Sequence, residues 1–273
     1  MPISELTLLL SLVLLVVAPP ASVLPPLARR AGWANPAVRR TVRVGVGVGV
    51  VLLLAQLVVV GWVEAAGGRT WLDERVLTWF VDHRNGWATG FALVLTSVGG
   101  TAAMTVLALS AALALAYLGR WRHSSVVVAA SGGAGLMVLG FKDLYDRQRP
   151  PRLDQVIHNH GHALPSGHAL GSIVVIGVVT AVLLPALRRP ARASLLAGAA
   201  VLVLGIGWSR LYLAAHWLTD VLVGWLLGGA WLAFAVTALA LLDRGAGEGA
   251  AGSVGAAPDV PEQHVVPHQP RPQ

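Results

Sequence analysis

Six apolar segments dominate the sequence and limit what the chain can fold into. Most of them reach the roughly 18 residues that a helix needs to cross the hydrocarbon of a bilayer. Of the 273 residues, 55% are hydrophobic and only 12% are charged, about half of the charge that is usual in soluble domains. We therefore predict an all-α fold, a polytopic membrane bundle with six core transmembrane helices. The segments are 41–63, 89–118, 124–141, 167–187, 193–208 and 216–241.

Three regions differ in composition. Residues 1–40 contain a hydrophobic stretch that is too short to span comfortably, followed by prolines and a basic loop. We expect one extra N-terminal hydrophobic helix there, either a further span or a surface helix, with a non-standard signal sequence as the alternative. Residues 41–242 form the six-helix membrane domain. Residues 243–273 offer little apolar surface to bury, so we predict a disordered cytoplasmic tail.

The positions of glycine and tryptophan predict a break in one segment, close packing of another, and anchors at the span ends. Gly99 and Gly100 interrupt the second segment, so we expect its start to be a short helix outside the hydrocarbon. The Gly–Val alternation over 45–49 lacks the Lys-Ser/Thr of a phosphate loop, and it is more typical of close helix packing. Tryptophans near the span ends are predicted to be interfacial anchors. These are Trp62, Trp71, Trp208 and Trp217.

The arginines predict how the bundle is oriented. Ten of them fall in three loops on one side of the predicted bundle, and positively charged loops favour the cytoplasm. This pattern accounts for most of the net charge of +7 without a nucleic-acid partner. With no eukaryote-like targeting signal, we expect a multi-pass protein of a bacterial plasma membrane. The loops carry Arg29, Arg30, Arg39, Arg40, Arg43, Arg120, Arg122, Arg188, Arg189 and Arg192.

Three polar clusters interrupt the apolar pattern, and all of them fall on the opposite, extracytoplasmic side. They are 142–150 (KDLYDRQRP), 165–168 (PSGH) and 209–220 (SRLYLAAHWLTD). Charged side chains are costly at the apolar core of a membrane, so a cationic set at its edge indicates a functional site. The residue types suit a pocket that holds a phosphate and attacks it with an imidazole.

The third cluster supplies a candidate nucleophile. His216 and Asp220 are four residues apart at the start of the last predicted span, so we expect them on one helix face. An Asp can accept a hydrogen bond from one imidazole nitrogen and leave the other free to attack. Arg210, where the preceding span emerges, can reach the same point. A membrane-edge His that is paired to an Asp for orientation alone fits this spacing about equally well.

The second cluster supplies a candidate anion site. Gly167 allows backbone N–H groups to approach an anion at the start of a helix, and Ser166 adds a hydroxyl. His168, in the first turn, is placed to protonate a leaving group. Taken alone, a Pro-Ser-Gly helix cap with an incidental His explains this short motif more often.

The first cluster supplies two cations. Lys142 and Arg149 are about two helical turns apart and complement each other around phosphate oxygens. The alternative is a basic patch for lipid head groups. Nearby Arg147 and Arg152 are expected to be neutralised by acidic neighbours in the sequence. Those neighbours are Asp143, Asp146 and Asp154.

Together the clusters resemble the three-part signature of the type 2 phosphatidic acid phosphatase superfamily, which also contains vanadium haloperoxidases and bacterial acid phosphatases. The resemblance covers about 73–241 and contains all eleven signature positions in order. The matching patterns are Lys142-x6-Arg149-Pro150, Pro165-Ser166-Gly167-His168 and Ser209-Arg210-x5-His216-x3-Asp220.

The resemblance implies a role for each residue. His216 would form a phosphohistidine, Asp220 would orient it, and His168 would protonate the leaving group and then activate water. The phosphoryl oxygens would be bound by Lys142, Arg149, Ser166, the Gly167 amide and Arg210. No metal or other cofactor is implied, because three cationic side chains would take the place of the ion.

The expected function is that of an integral membrane phosphatase whose partners are the bilayer and a lipid phosphate or diphosphate. Phosphatidic acid, phosphatidylglycerol phosphate and undecaprenyl diphosphate all fit. Alternatives are a lipid phosphotransferase that uses the same site, and a catalytically silent lipid-binding or transport protein. A haloperoxidase would hold vanadate in the same pocket, but its soluble chemistry has no use for membrane spans.

A histidine-rich run between the first two clusters offers a competing interpretation. His158, His160 and His162 are spaced like a metal-binding tract, but no second group of ligands accompanies them. We expect a solvated loop over the mouth of the site.

Overall fold

Helices alone make up the regular structure of the computed structural model, which describes residues 36–254. A single 3-10 turn, Leu184–Ala186, follows the sixth α-helix. No β-strand occurs among the described residues, and the predicted all-α fold is confirmed. The helices are α1 Pro36–Ala65, α2 Trp71–Asp82, α3 Gly86–Val98, α4 Thr101–Tyr117, α5 Trp121–Tyr145, α6 Gly167–Leu183, α7 Arg189–Tyr212 and α8 Leu218–Val254.

Five of these helices are long and apolar enough to cross a membrane, namely α1, α5, α6, α7 and α8. Helices α3 and α4 pass the same test together but meet at 45°, the geometry of either one broken span or a re-entrant loop. The break falls at Gly99 and Gly100, as the glycines predict. The described part of the chain therefore contains the six predicted spans if the bent pair counts as one.

The boundaries of α8 differ from the prediction at both ends. The helix begins at Leu218, so His216 precedes it, because Asp220 reaches back to cap the backbone N–H of Trp217 at 2.9 Å. At the other end α8 continues to Val254, through residues 243–254 of the predicted disordered tail. Residues 243–254 contain three alanines but four glycines, so helix propensity does not explain this continuation, although extending an existing helix requires no new nucleus. The N-terminal hydrophobic stretch and residues 255–273 lie outside the described residues.

Helix α8 is the centre of the bundle and packs on α1, α5, α6 and α7. It runs antiparallel to α1, since Gly45 faces Thr237 and Gly49 faces Phe234, which supports close packing of the Gly–Val repeat. It also contacts α5 near its far end, where His123 Nε2 lies 2.7 Å from Asp243 Oδ1. This end holds the described arginine loops, and the polar clusters occupy the opposite end.

The approach of α8 to α6 depends on Gly224. A Cβ atom at this position would lie 2.8 Å from the Ser166 carbonyl oxygen and 3.0 Å from the Ala169 Cβ. Real Cβ atoms essentially never show the first distance, and the second is tighter than most real Cβ contacts, so a larger residue would force the helices apart. The glycine therefore allows the start of α6 to lie against the first turns of α8, where the predicted site residues are.

Candidate active site

Hydrogen bonds to backbone carbonyls bring the three polar clusters together at one end of the bundle. The Ser166 N–H donates to the Asp220 carbonyl at 3.0 Å, which joins the second cluster to the third. The Ala163 N–H donates to the Arg147 carbonyl at 2.7 Å, and the Trp217 indole donates to the Gln148 carbonyl at 2.9 Å. Segments that are distant in the sequence are thus fixed around one point.

Six of the eight predicted site residues line a cavity of about 700 Å³ at this point. The other two, Ser166 and Asp220, are buried beside it. Both imidazoles therefore face one space, as a joint role in catalysis requires. The lining residues are Lys142, Arg149, Gly167, His168, Arg210 and His216.

His216 is held between an anion and a cation, and the two contacts select the same tautomer. Its Nδ1 lies 3.3 Å from Asp220 Oδ2, and its Nε2 lies 3.2 Å from Arg149 Nη1. Because a guanidinium can only donate, Nε2 must accept and the proton must be on Nδ1. The lone pair of Nε2 therefore points toward Arg149, one of the residues that line the cavity.

The surroundings also keep His216 neutral. Burial lowers the pKa of its imidazole well below the ordinary value of 6.5, and the positive charges of Arg210, Arg149 and Lys142 lower it further. At neutral pH the ring is therefore unprotonated, which is the form that can attack an electrophile.

Asp220 is buried and its two oxygens have different partners. Oδ2 faces His216 and caps Trp217, whereas Oδ1 accepts a hydrogen bond from Arg147. The expectation that Arg147 pairs with its acidic neighbours in the sequence is wrong. It pairs with Asp220 and with Asp73, because it points inward from the loop after α5 while Asp146 pairs with His162.

Three cations approach the cavity from different elements. Lys142 belongs to the last turn of α5, and Arg210 is buried in the last turn of α7, where it donates to the Thr96 hydroxyl. Arg149 is held in a loop by the carbonyls of Gly161 at 3.0 Å and Ala215 at 2.6 Å. A point charge and two guanidinium forks around one space suit an anion with several oxygens.

Two buried polar atoms at this site lack a partner. Among the described residues, the Ser166 hydroxyl and the Arg210 Nε are buried without any hydrogen bond. Leaving such groups unpaired is costly, so both atoms are candidates to donate a hydrogen bond to a bound oxyanion. Ser166 also directly precedes α6, whose first free N–H groups favour an anion.

The break between α3 and α4 forms part of the wall around His168. The imidazole is hydrogen-bonded to the backbone of Thr96, and the Thr96 side chain accepts from Arg210. The sequence indicated the break through Gly99 and Gly100, but no pattern identified Thr96. The same holds for Asp73 and Arg147, whose pairing has no local sequence signal.

The histidine-rich loop lies at the mouth of the cavity. Asn159 and His160 line it, and His162 Nδ1 is 2.7 Å from Asp146 Oδ1. Within the described range, no three His, Asp or Glu side chains are arranged to hold a metal ion.

Trp217, expected to be an interfacial anchor, is instead buried and only 2% exposed. Its indole packs against the guanidinium of Arg147, which lies 5.9 Å from the ring centroid.

Comparison with known proteins adds a family and a similar fold. A model of the PAP2 superfamily matches residues 105–243, which include all eight predicted site residues. The chain is also similar to a solved structure, described as the first transmembrane PAP2-type phosphatidylglycerolphosphate phosphatase from Bacillus subtilis. The identity is 24% and the TM-score 0.64, over 70% of this chain and 95% of that chain. No curated protein matches the sequence.

Proposed function

Because the chain belongs to the PAP2 superfamily, we propose that it is an integral membrane phosphatase that hydrolyses a lipid phosphate or diphosphate through a phosphohistidine intermediate. The observation that carries this proposal is the state of His216. The ring is neutral, its Nδ1 faces Asp220, and its Nε2 accepts from Arg149, while Arg210 and Lys142 are close enough to lower its pKa. A protein that only binds lipid phosphate needs the cations but not an activated imidazole.

In the proposed reaction, the phosphoryl group lies among Lys142, Arg149 and Arg210. Arg149 turns from Nε2 of His216 to a phosphoryl oxygen, and the nitrogen attacks phosphorus. A nitrogen–phosphorus bond forms as the bond from phosphorus to the lipid oxygen breaks. The negative charge of the bound phosphate favours protonation of His168, which gives this proton to the lipid oxygen. Water, deprotonated by His168, then releases inorganic phosphate and restores the imidazole.

The cations stabilise the charge that develops on the phosphoryl oxygens. Ser166 and the Gly167 amide add neutral donors, and the unpaired hydroxyl of Ser166 supports this role. With three positive side chains already present, the reaction requires no divalent ion to balance charge, and we propose that it is metal-independent.

The shape of the cavity supports a substrate with an apolar chain. From the cations it continues between α4, α5 and α6, along apolar and small side chains such as Met104, Val128 and Leu139. At Gly132, Gly135 and Gly171 an added Cβ would meet nothing within 4 Å, so these glycines leave open space in the groove. A lipid can place its phosphate among the cations while its chain lies in this groove.

Phosphatidic acid, phosphatidylglycerol phosphate and undecaprenyl diphosphate are the proposed candidates. The second is supported by the name of the structurally similar protein. We further propose a bacterial plasma membrane, with the site on the extracytoplasmic face. The arginine loops at the opposite end support that orientation.

The test is phosphate release by the purified full chain in detergent, with each candidate lipid and an excess of EDTA. We expect turnover that orthovanadate inhibits and that His216→Ala abolishes. Full activity of that variant would refute the mechanism. Transfer of labelled phosphate to an acceptor lipid instead of water would identify a phosphotransferase.

A further inference from the structure

Arg147 lies behind the His216–Asp220 pair and joins two buried carboxylates from distant parts of the sequence. Its Nη1 donates to Asp220 Oδ1 and its Nη2 donates to Asp73 Oδ2 at 2.8 Å. Its Nε donates to the Gly68 carbonyl at 2.9 Å. The side chain of Arg147 is 4% exposed and both carboxylates are fully buried, so water screens none of these bonds.

The guanidinium determines which oxygen of Asp220 faces the histidine. With Oδ1 bound to Arg147, only Oδ2 is directed at His216 Nδ1 and at the Trp217 N–H. Without Arg147 the carboxylate would lose this constraint and carry an uncompensated charge in a buried place. This carboxylate is one of the two contacts that select the tautomer of His216.

Asp73 fixes the other side of this arrangement. Its Oδ1 accepts from the Thr219 N–H at 2.9 Å, next to Asp220 in the first turn of α8. Its Oδ2 accepts from the Thr70 N–H at 3.1 Å and closes the capping box of α2. Through Asp73, helix α2 therefore holds both the guanidinium of Arg147 and the backbone N–H of Thr219 beside Asp220.

Arg147, Asp73 and Asp220 together carry more negative than positive charge. Two carboxylates share one guanidinium, which leaves one negative charge beside the Nδ1 proton of His216. When Nε2 bonds to phosphorus, the ring becomes positive and that charge stabilises it.

We propose that Arg147 and Asp73 are positioning residues that act through Asp220, holding its carboxylate so that it selects the His216 tautomer and stabilises the positive ring. The inference rests on the proposed function, because it assigns both residues to the phosphorylation of His216. Neither residue lines the cavity, so neither is expected to bind substrate. Asp73 also lies outside residues 105–243 that the family model matches.

The first test compares R147K and D73N with R84K in the purified full chain. Arg84 is a matched control at the same end of the bundle, where it donates to the carbonyls of Tyr212 at 3.1 Å and Asp154 at 2.6 Å. We expect kcat of R147K and D73N to fall about 10- to 100-fold, the equivalent of one charge-assisted hydrogen bond. We expect their KM, and both constants of R84K, to stay within about threefold of wild type.

A structural role alone would give a different result. R147K and D73N would then lower the melting temperature as R84K does and leave kcat unchanged, which would overturn the proposal. A raised KM with unchanged kcat would also overturn it, because it would assign the residues to substrate binding.

A double-mutant cycle tests whether Arg147 acts through Asp220. In a D220N background, R147K should cost little further kcat, because the carboxylate that it positions is already gone. If the two losses multiplied, the residues would act independently and the proposal would fail.

A readout that does not need turnover separates this inference from the proposed function. In ¹⁵N-histidine NMR spectra, with His216→Ala for assignment, the comparison is made in an Arg149→Met background, which removes the other contact that selects the tautomer. There the intact Arg147 and Asp73 should keep the Nδ1–H tautomer, and R147K and D73N should show a mixture. If the tautomer changes but wild type hydrolyses no lipid phosphate, the proposed function fails and the positioning role stands. If wild type is active but tautomer and kcat are unaffected, the positioning role is wrong.

Discussion

His216 shows how its neighbours determine the chemistry of a residue. Asp220 on one side and Arg149 on the other both require the proton on Nδ1. Burial and three cations prevent the ring from taking a second proton at neutral pH. Sequence spacing predicted the pairing of His216 with Asp220, but only the structure shows that Asp220 also caps the helix that follows.

Asp220→Asn is expected to lower kcat about 10²- to 10⁴-fold with a small change in KM. The amide keeps the shape of the side chain but no longer carries the charge that stabilises the positive ring. Steady-state kinetics with a detergent-solubilised lipid phosphate measure both constants. A rise in KM at unchanged kcat would contradict the orienting role.

The pH dependence of kcat/KM should reflect the low pKa of His216. The enzyme is expected to keep its activity as pH falls through 6.5, because the imidazole stays unprotonated there. Arg149→Met removes one of the charges that lower this pKa, so the acidic limb of its profile should move to higher pH. Arg84→Met, at the same end of the bundle, is the control and should leave the limb in place. An acidic limb that did not move in Arg149→Met would show that another group sets it.

At the scale of helices, the site depends on how closely α6 and α8 pack. Gly224 allows Ser166 to donate its N–H to the Asp220 carbonyl at 3.0 Å. Long apolar segments predicted that both helices exist, and Gly99 and Gly100 predicted that a short helix is set off at the start of the second segment. The pairing of Arg147 with Asp73 had no such signal, because it joins residues 74 positions apart that share no repeat. The acidic residues next to Arg147 in the sequence did not predict its partners, because the loop turns the Arg147 side chain toward the interior.

Gly224→Val is expected to destabilise the bundle by about 1–3 kcal/mol and to reduce turnover, because the new side chain would push α8 away from Ser166. Thermal unfolding in detergent and phosphate release measure the two effects. Gly198→Ala on α7 is the control, since its Cβ would meet nothing within 4 Å. Equal stability of the two variants would mean that α6 and α8 can separate without cost.

For the whole molecule, the cavity connects a cationic site at one end of the bundle with an apolar groove between helices. Gly135→Leu should fill that groove and raise KM for a long-chain lipid phosphate, but not for a water-soluble phosphate ester. The control Gly140→Leu lies on the same helix and also has open space, but does not line the cavity. Equal effects of both variants on both substrates would contradict a lipid chain in the groove.

The proposed orientation can be tested with single cysteines, because the chain has none of its own. In intact cells, a membrane-impermeant maleimide should label His158→Cys beside the site but should label Arg122→Cys only after permeabilisation. This follows if the arginine loops face the cytoplasm. The reverse pattern would place the site inside the cell.

The most direct measurement is to trap the phosphorylated enzyme. Wild type is mixed with a lipid that carries ³²P in its terminal phosphate, quenched within one turnover, and digested for peptide mapping. We predict acid-labile, base-stable label on the peptide that contains His216, and none in His216→Ala. Label on another residue, or rapid phosphate release by His216→Ala, would contradict a phosphohistidine at this site.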